Sequence, residues 1–268
     1  MYIIAQRIFT VFIVSFIVQN ATSAHALIGE VSKDEFKIKR PQVVDVQTKI
    51  PVSGALVSIP AENKKDFTTQ DGYFKLSPSG SGTVILSIQK DGYRPYSVTI
   101  NDGKFSGNML FEMQKASPKS IIISNDMMHL GDNSYSDKSS GACLINSPCV
   151  GPFFIKKFKV GDITPKTKAY VTIGSVIGID TIQAMKLGQN KLTNATSTPM
   201  EIFVNGYKIA ELKINGDNQK IPIPLKYLNK NSENVLKIQT GVNMSVTDYT
   251  DYDDVEIVNL IVDIDEQF

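Results

Sequence analysis

The chain has 268 residues, of which 42% are hydrophobic and 21% charged, and this balance excludes an intrinsically disordered protein. Its 28 Lys and Arg residues nearly balance 27 Asp and Glu residues, so no general attraction to phosphate backbones or anionic lipid is expected, and nucleic acid is not expected as a partner. The length suits one or two domains, and abundant β-branched and aromatic residues favour β structure.

The first 26 residues have the layout of a secretory signal peptide. Arg7 precedes an apolar run from Ile8 to Val18, and small residues end in Ala24-His25-Ala26. The run is too short to cross a bilayer, which needs about 20 apolar residues, so an uncleaved anchor is the lesser alternative. We predict export to the periplasm or the medium, cleavage after Ala26 and no membrane span afterwards. The mature chain would carry 27 basic and 27 acidic residues.

The block from Val43 to Met113 alternates apolar and polar residues in short segments, which predicts strands with one face inward. Closely spaced turn residues such as Asp71-Gly72 and Asp91-Gly92 separate these segments. The sequence therefore predicts a small β-sandwich. Its strands are predicted at Ala55–Ile59, Phe74–Leu76, Val84–Ile88, Tyr96–Ile100 and Met109–Met113.

Several turns and aromatics of this block also resemble the carboxypeptidase regulatory-like domain over residues 43–113. The resemblance rests on Pro51-Val52-x-Gly54-Ala55, Thr69-x-Asp71-Gly72-Tyr73-Phe74 and Gly92-Tyr93-Arg94-Pro95. It implies a transthyretin-like sandwich that serves as an accessory module without an active site. The polar stretch from Gln114 to Lys119 contains Pro118 and predicts a boundary between a domain at 27–116 and a second at 117–268.

The second block predicts about eight strands and hence a jelly roll. Asn205-Gly206 between two apolar segments is the strongest hairpin signal, because this dipeptide accepts two positive φ angles. The predicted class is all-β, a transthyretin/Ig-like β-sandwich followed by a jelly-roll β-sandwich. The strands are predicted at 121–123, 154–160, 169–173, 202–204, 209–214, 221–223, 235–238 and 255–264.

The order of four motifs in this block resembles the galactose-binding-like jelly roll, found as carbohydrate-binding modules, over residues 118–266. The motifs are His129–Asn133, Val204–Gly206, Asn234–Ile238 and Asp253–Asn259. The resemblance implies a structural calcium ion that joins an early loop to the last strand. Carried over, its ligands are Asp132, Asn133, Asp254 and Glu256. Eight acidic residues between Asp248 and Glu266 would supply hard oxygen ligands, although a solvated acidic edge is the alternative.

No pattern of catalytic residues stands out, and we expect a protein that is not an enzyme. A Gly-x-Ser-x-Gly elbow is absent, and sequence cannot set the separation of the late carboxylates that glycoside cleavage would require. Exposed tyrosines could stack on sugar rings, and the candidates are Tyr135, Tyr207, Tyr249 and Tyr252.

The sequence thus predicts an exported protein that binds a glycan or a surface protein through the second domain, with the first as an accessory module. A structural or adhesive subunit of a surface assembly is the alternative, and a glycoside or ester hydrolase is a distant third. Cys143 and Cys149, close together in an exported chain, predict a disulfide loop. The oligomeric state stays open.

Overall fold

The computed structural model describes residues 40–80, 82–103, 105, 109–132, 148–189 and 196–266, and over these the fold is all-β, as predicted. The signal peptide predicted for residues 1–26 lies outside the described residues. No helix in the described ranges is both long and apolar enough to cross a membrane. The strands are β1 (Gln42–Asp45), β2 (Leu56–Ile59), β3 (Lys64–Phe67), β4 (Val84–Gln89), β5 (Tyr96–Ile100), β6 (Leu110–Met113), β7 (Ser120–Ser124), β8 (Met128–Leu130), β9 (Phe153–Lys159), β10 (Thr167–Ile177), β11 (Met200–Val204), β12 (Tyr207–Leu212), β13 (Gly216–Ile223), β14 (Glu233–Gln239) and β15 (Val255–Glu266), with one α-helix, α1 (Ile182–Lys186), and single 3-10 turns at Pro60–Glu62 and Leu225–Tyr227.

The first sandwich packs a parallel pair, β1 and β6, against an antiparallel sheet ordered β3-β2-β4-β5. Alternation along the strands sends every second apolar side chain into the core between the two layers. Phe74 and Phe111 lie there with their ring centroids 5.7 Å apart. This core holds the apolar residues that the sequence pattern had assigned to inward faces.

One predicted strand in this sandwich is wrong, and one strand was missed. Phe74–Leu76 is not a strand, although Phe74 and Leu76 are buried, because the Lys75 amide donates to Asp66 Oδ2 (2.7 Å) instead of joining a sheet. The missed strand is β3, which pairs with β2 at the sheet edge. Its sequence, Lys-Lys-Asp-Phe, has no alternation of apolar and polar residues. Charged residues of this kind are common on edge strands, where they oppose pairing with another chain.

The second sandwich packs two antiparallel sheets face to face. One is ordered β13-β10-β15-β7, with β8 also paired to β15, and the other is ordered β12-β11-β14-β9. The core between them takes side chains from both sheets, for example Ile173 and Leu260 from one and Ile202 and Ile238 from the other. The predicted hairpin is confirmed, since Asn205 (φ 51°) and Gly206 (φ 83°) turn β11 into β12. The sequence had not predicted β8.

The sandwiches meet through the outer faces of β4-β5 and β10-β15. Ser58, Ser87 and Ser97 are cross-strand partners on the first of these faces, and all three are buried. Opposite them, a Cβ at Gly174 would overlap Ser97 Oγ and come within 2.7 Å of the Asn259 Cβ, so only glycine permits this approach. Ser97 therefore packs directly on β10, where its hydroxyl is also hydrogen-bonded to that of Ser175 (3.0 Å).

An ion pair at the edge of this interface is better satisfied than a surface pair. The Arg94 guanidinium donates to both carboxylate oxygens of Asp263, with Nη2 and Oδ2 2.7 Å apart, and the hydroxyls of Ser120 and Thr172 donate to the same carboxylate. Burial alone would raise the pKa of Asp263, but Arg94 and the two hydroxyls hold it below its ordinary value.

Residues from Arg40 onward form one compact unit. The domain boundary predicted near residue 116 falls between β6 and β7, at the junction of the two sandwiches. Whether each sandwich folds alone stays a prediction.

We expect Asp263→Asn to lower the free energy of unfolding by about 2 kcal/mol, because Arg94 would lose its charged acceptor in a partly buried site. Urea denaturation measures this. Asp265→Asn is the matched control on the same strand, since Asp265 is 55% exposed and its pair with Lys220 is 3.5 Å long, so its removal should cost less than about 0.5 kcal/mol. Equal losses in the two variants would mean that the Arg94 pair contributes no more than a surface pair.

Candidate functional site

The predicted early loop and the start of the last strand lie side by side. Asp132 Oδ2 accepts the backbone N–H of Tyr252 (2.8 Å). A Cβ at Gly131 would overlap the Asp254 carboxylate, so glycine at this position allows the loop to approach β15. Asn133, the fourth predicted ligand, lies outside the described residues. The structure thus brings Asp132 and Asp254 to the same end of the second sandwich.

Asp254 belongs to a buried cluster of ionisable side chains. His129 on β8 lies opposite Glu256 on β15, and its Nε2 is hydrogen-bonded to Asp254 Oδ1 at 2.7 Å. His129, Asp254 and Glu256 are each at most 2% exposed. The Glu256 Oε1 atom has no hydrogen-bond partner among the described residues. The sequence-based alternative, a solvated acidic edge, is therefore wrong for these positions.

Further carboxylates continue the cluster toward the loop that precedes β15. Asp253 Oδ2 accepts the N–H of Asp180 (3.1 Å), and Asn243 donates from Nδ2 to Asp251 Oδ2 (2.7 Å). Asp180, Asp251 and Asp253 are all at most 5% exposed. This end of the sandwich therefore concentrates carboxylates that are almost completely buried.

Burial favours the protonated form of two carboxyl groups in this cluster. It raises the pKa of Glu256 to about 7, although a charged His129 acts in the opposite direction. Burial, followed by the negative charge of Asp180, also raises the pKa of Asp253 well above its ordinary value. A buried carboxyl without a cation is more stable in its neutral form, because the charged form would lose its hydration.

The described residues do not by themselves fit a calcium ion. Over the described ranges, no three His, Cys, Asp or Glu side chains are arranged to hold a metal. Asp132 already accepts a hydrogen bond from the Tyr252 amide, and Asp254 is hydrogen-bonded to His129. The side chain next to Asp254 is thus an imidazole, whereas calcium prefers hard oxygen ligands. A structural calcium ion at this end stays a proposal that must be tested in solution.

A second feature lies on the outer surface of the sheet β12-β11-β14-β9, which we call the aromatic face. Lys237 Nζ lies 4.8 Å from the ring centroid of Phe153 and 5.2 Å from that of Phe203, and it donates to Gln239 Oε1 (2.9 Å). Phe153 is 42% exposed, and Ile155, the register partner of Lys237, is 59% exposed. The face thus presents apolar rings beside a cation and an amide.

A carboxylate pair borders the aromatic face on its far side. Lys208 Nζ donates to Glu201 Oε1 (3.0 Å) and to Glu211 Oε1 (2.7 Å). Hydrogen bonds to these carboxylates raise the pKa of Lys208, and Lys208 in turn lowers the pKa of Glu211. Ionised donors and acceptors therefore lie next to the exposed rings.

The predicted tyrosines do not form one site. The Tyr252 ring lies edge-on to Phe153, with centroids 6.4 Å apart, at the border of the aromatic face. Tyr207, at the other end of β11, stacks on Tyr227 with centroids 4.3 Å apart and an angle of 6° between the rings. Tyr249 is exposed in the segment between β14 and β15, and Tyr135 lies outside the described residues.

The predicted disulfide stays a prediction. Cys149 is half-buried, Cys143 lies outside the described residues, and no disulfide is formed within the part of the chain that the structure describes.

Sequence reasoning missed Phe153, Phe203 and Lys237, which come from three different strands. Their positions follow from the register, in which Phe203 pairs with Lys237 and Lys237 with Ile155. The available signal was an apolar residue at a strand position where alternation predicts an outward-facing polar one. Phe203 between Ile202 and Val204 is an example. An apolar residue that breaks alternation in this way indicates an exposed ring.

No family model matches this chain, and no curated protein matches it. The resemblances to the carboxypeptidase regulatory-like and galactose-binding-like domains therefore stay predictions. Among solved structures, the chain is similar to a "putative carbohydrate binding protein" of Bacteroides uniformis. The TM-score is 0.21 and the identity is 12%, over 83% of this chain and 96% of that chain. A TM-score this low supports no statement about fold or ligand.

If calcium binds between the early loop and β15, the melting temperature should rise with millimolar calcium and fall with chelator. An ion that binds only the folded state raises the free energy of unfolding by about 2.7 kcal/mol when its concentration is a hundred times Kd. Asp254→Asn should blunt this response, whereas Asp71→Asn, which changes an exposed turn residue of the first sandwich, should leave it intact. An unchanged melting temperature in protein shown to be metal-free would remove calcium from the proposal.

The protonation state of Glu256 gives an independent pH test. Because its folded pKa of about 7 exceeds the unfolded value of 4.5, the folded state holds the extra proton between these values, and stability falls as pH rises through this window. Glu256→Gln cannot ionise, so its stability relative to the wild type should grow across the window by on the order of 3 kcal/mol.

Chemical denaturation from pH 4 to 8 measures this difference. Glu233→Gln is the control, because Glu233 forms a surface pair with Lys157 and its difference from the wild type should stay flat. A flat difference for Glu256→Gln as well would show that the Glu256 carboxylate is charged throughout, as a bound cation would make it.

Proposed function

We propose that this chain is an exported, non-enzymatic protein that binds a glycan through the second sandwich. The aromatic face carries this proposal, because it places the exposed ring of Phe153 beside Lys237 and Gln239. A sugar has apolar C–H faces and polar hydroxyls, so it suits a surface that combines rings with hydrogen-bonding groups. Export follows from the signal peptide predicted for residues 1–26.

Contacts around Phe153 support a site with a defined geometry. Lys237 is held between two rings and by Gln239, so its position is fixed before a ligand arrives. Tyr252 packs edge-on against Phe153 from the loop side. A preorganised surface loses less side-chain entropy on binding. This matters most for a ligand such as an oligosaccharide, which gains little free energy from burial of apolar surface.

The acidic cluster supports a protein without catalytic activity. Glycoside cleavage needs two carboxyl groups that reach the bond to be broken. Asp251, Asp253, Asp254 and Glu256 are each at most 1% exposed, so a substrate would not contact them. We assign them to the support of the loops at this end of the sandwich, with or without calcium.

A structural or adhesive role is the second candidate, and the exposure of Phe153 and Ile155 on the edge strand β9 is the observation that favours it. An edge strand with exposed apolar residues can pair with another chain. Lys156, Lys157 and Lys159 on the same strand are exposed and oppose such pairing, so we rank this role below glycan binding.

A glycan array with the purified protein tests the proposal. We expect retention of particular glycans, and Phe153→Ala should weaken binding about tenfold, because the sugar would lose its stacking surface. Phe67→Ala is the matched control, since Phe67 is 63% exposed on β3 of the first sandwich and lies outside the aromatic face. Unaltered binding by Phe153→Ala, or no retained glycan, would contradict the assignment. Self-association that Phe153→Ala abolishes would support the adhesive role instead.

A further inference from the structure

A cleft of about 510 Å³ lies between the two sandwiches, and its walls come from both. Arg94, Tyr96 and Gln114 line it from the first sandwich, and Thr172 and Asn218 from the second. Its volume falls within the roughly 300–1,000 Å³ of small-molecule sites, which often occur at the junction of two domains. The cleft lies on the opposite side of the second sandwich from the aromatic face.

Charged groups in the cleft are already paired within the protein. Arg94 is bound through two hydrogen bonds to Asp263, and Glu112 forms an ion pair with Lys49. Asp217, next to the cleft, accepts hydrogen bonds from the Thr99 amide (3.0 Å) and from other groups of the interface. A charged ligand would therefore find no unpaired opposite charge among these groups.

Neutral polar groups in the cleft remain available. The Tyr96 hydroxyl and the side-chain amides of Gln114 and Asn218 form no hydrogen bond within the described part of the chain. The Tyr96 ring itself is fixed, because it packs edge-on against Phe111 with centroids 6.1 Å apart. The cleft thus offers a positioned hydroxyl and two amides that can both donate and accept.

Apolar side chains complete the walls. Val46, Leu110 and Ile261 line the cleft together with Pro95. A ligand that fits must therefore combine apolar patches with neutral groups that both donate and accept hydrogen bonds. Sugar hydroxyls do both, and sugar rings carry apolar C–H faces.

We infer that this cleft binds a neutral saccharide of one or two rings. The site is separate from the aromatic face and does not depend on the function proposed for it. Tyr96 and Asn218 hold the sugar from opposite walls, and the packing of Ser97 on Gly174 and Ser175 holds the two walls together. The first sandwich is then part of a binding site and not only an accessory.

Saturation-transfer NMR on the full chain tests the inference with four neutral disaccharides: maltose, cellobiose, lactose and N,N′-diacetylchitobiose. Digalacturonic acid is the anionic comparator. We expect at least one neutral disaccharide to bind and the anionic one not to bind. Tyr96→Phe and Asn218→Gly should each weaken binding about fivefold to tenfold, as the loss of one hydrogen bond predicts. Glycine suits position 218, where φ is 49°.

Two further variants separate the possible outcomes. Tyr73→Phe removes a hydroxyl from the same sandwich outside the cleft and should bind like the wild type, whereas Phe153→Ala tests whether the sugar lies on the aromatic face instead. The inference is overturned if none of the four neutral disaccharides binds, or if the anionic one binds equally well. It is also overturned if Phe153→Ala abolishes disaccharide binding while Tyr96→Phe does not, because the sugar would then lie on the aromatic face. A failed glycan array with intact disaccharide binding would reject only the aromatic face.

Discussion

Strand β15 is covered on both faces, and this constraint determines much of the remaining structure. Every residue from Val255 to Ile264 is buried, because the strand lies in a sheet that packs on the core of the second sandwich and, on its other side, against the first sandwich. A strand in this position would ordinarily be apolar throughout. This one carries Glu256, Asn259 and Asp263, and each needs a compensating arrangement in its surroundings.

Along the strand, two carboxyl groups are stabilised in different ways. Asp263 stays charged, because Arg94 and two hydroxyls donate to it across the junction of the sandwiches. At Glu256 burial favours the neutral form and outweighs the opposing effect of a charged His129. The ion pair therefore depends on the first sandwich, whereas the state of Glu256 depends on pH or on a cation. One strand thus links the contact between the sandwiches to the loops at its other end.

Periodic patterns predicted the strands well because burial on one face imposes alternation, and the Asn205-Gly206 turn was clear because its φ angles demand those residues. The prediction of a strand at Phe74–Leu76 failed, because the Lys75 amide donates its hydrogen bond to the Asp66 carboxylate and not to a neighbouring strand. The aromatic face was not predictable from local sequence, since Phe153, Phe203 and Lys237 meet only through the register of three strands. The burial of the late carboxylates was not predictable either, because no local sequence pattern shows that both faces of β15 are covered.

The layered arrangement also bears on how the two proposed sites relate to each other. The aromatic face belongs to the outermost sheet, β12-β11-β14-β9, whereas the cleft opens on the far side of β13-β10-β15-β7. The close-packed core between these sheets separates the sites, so ligands at the two could bind together without touching. Coupling between them would require a shift of β15 or β10, and such a shift would disturb the close approach of Gly174 to Asn259. Packed cores resist small displacements, so we expect the sites to bind independently.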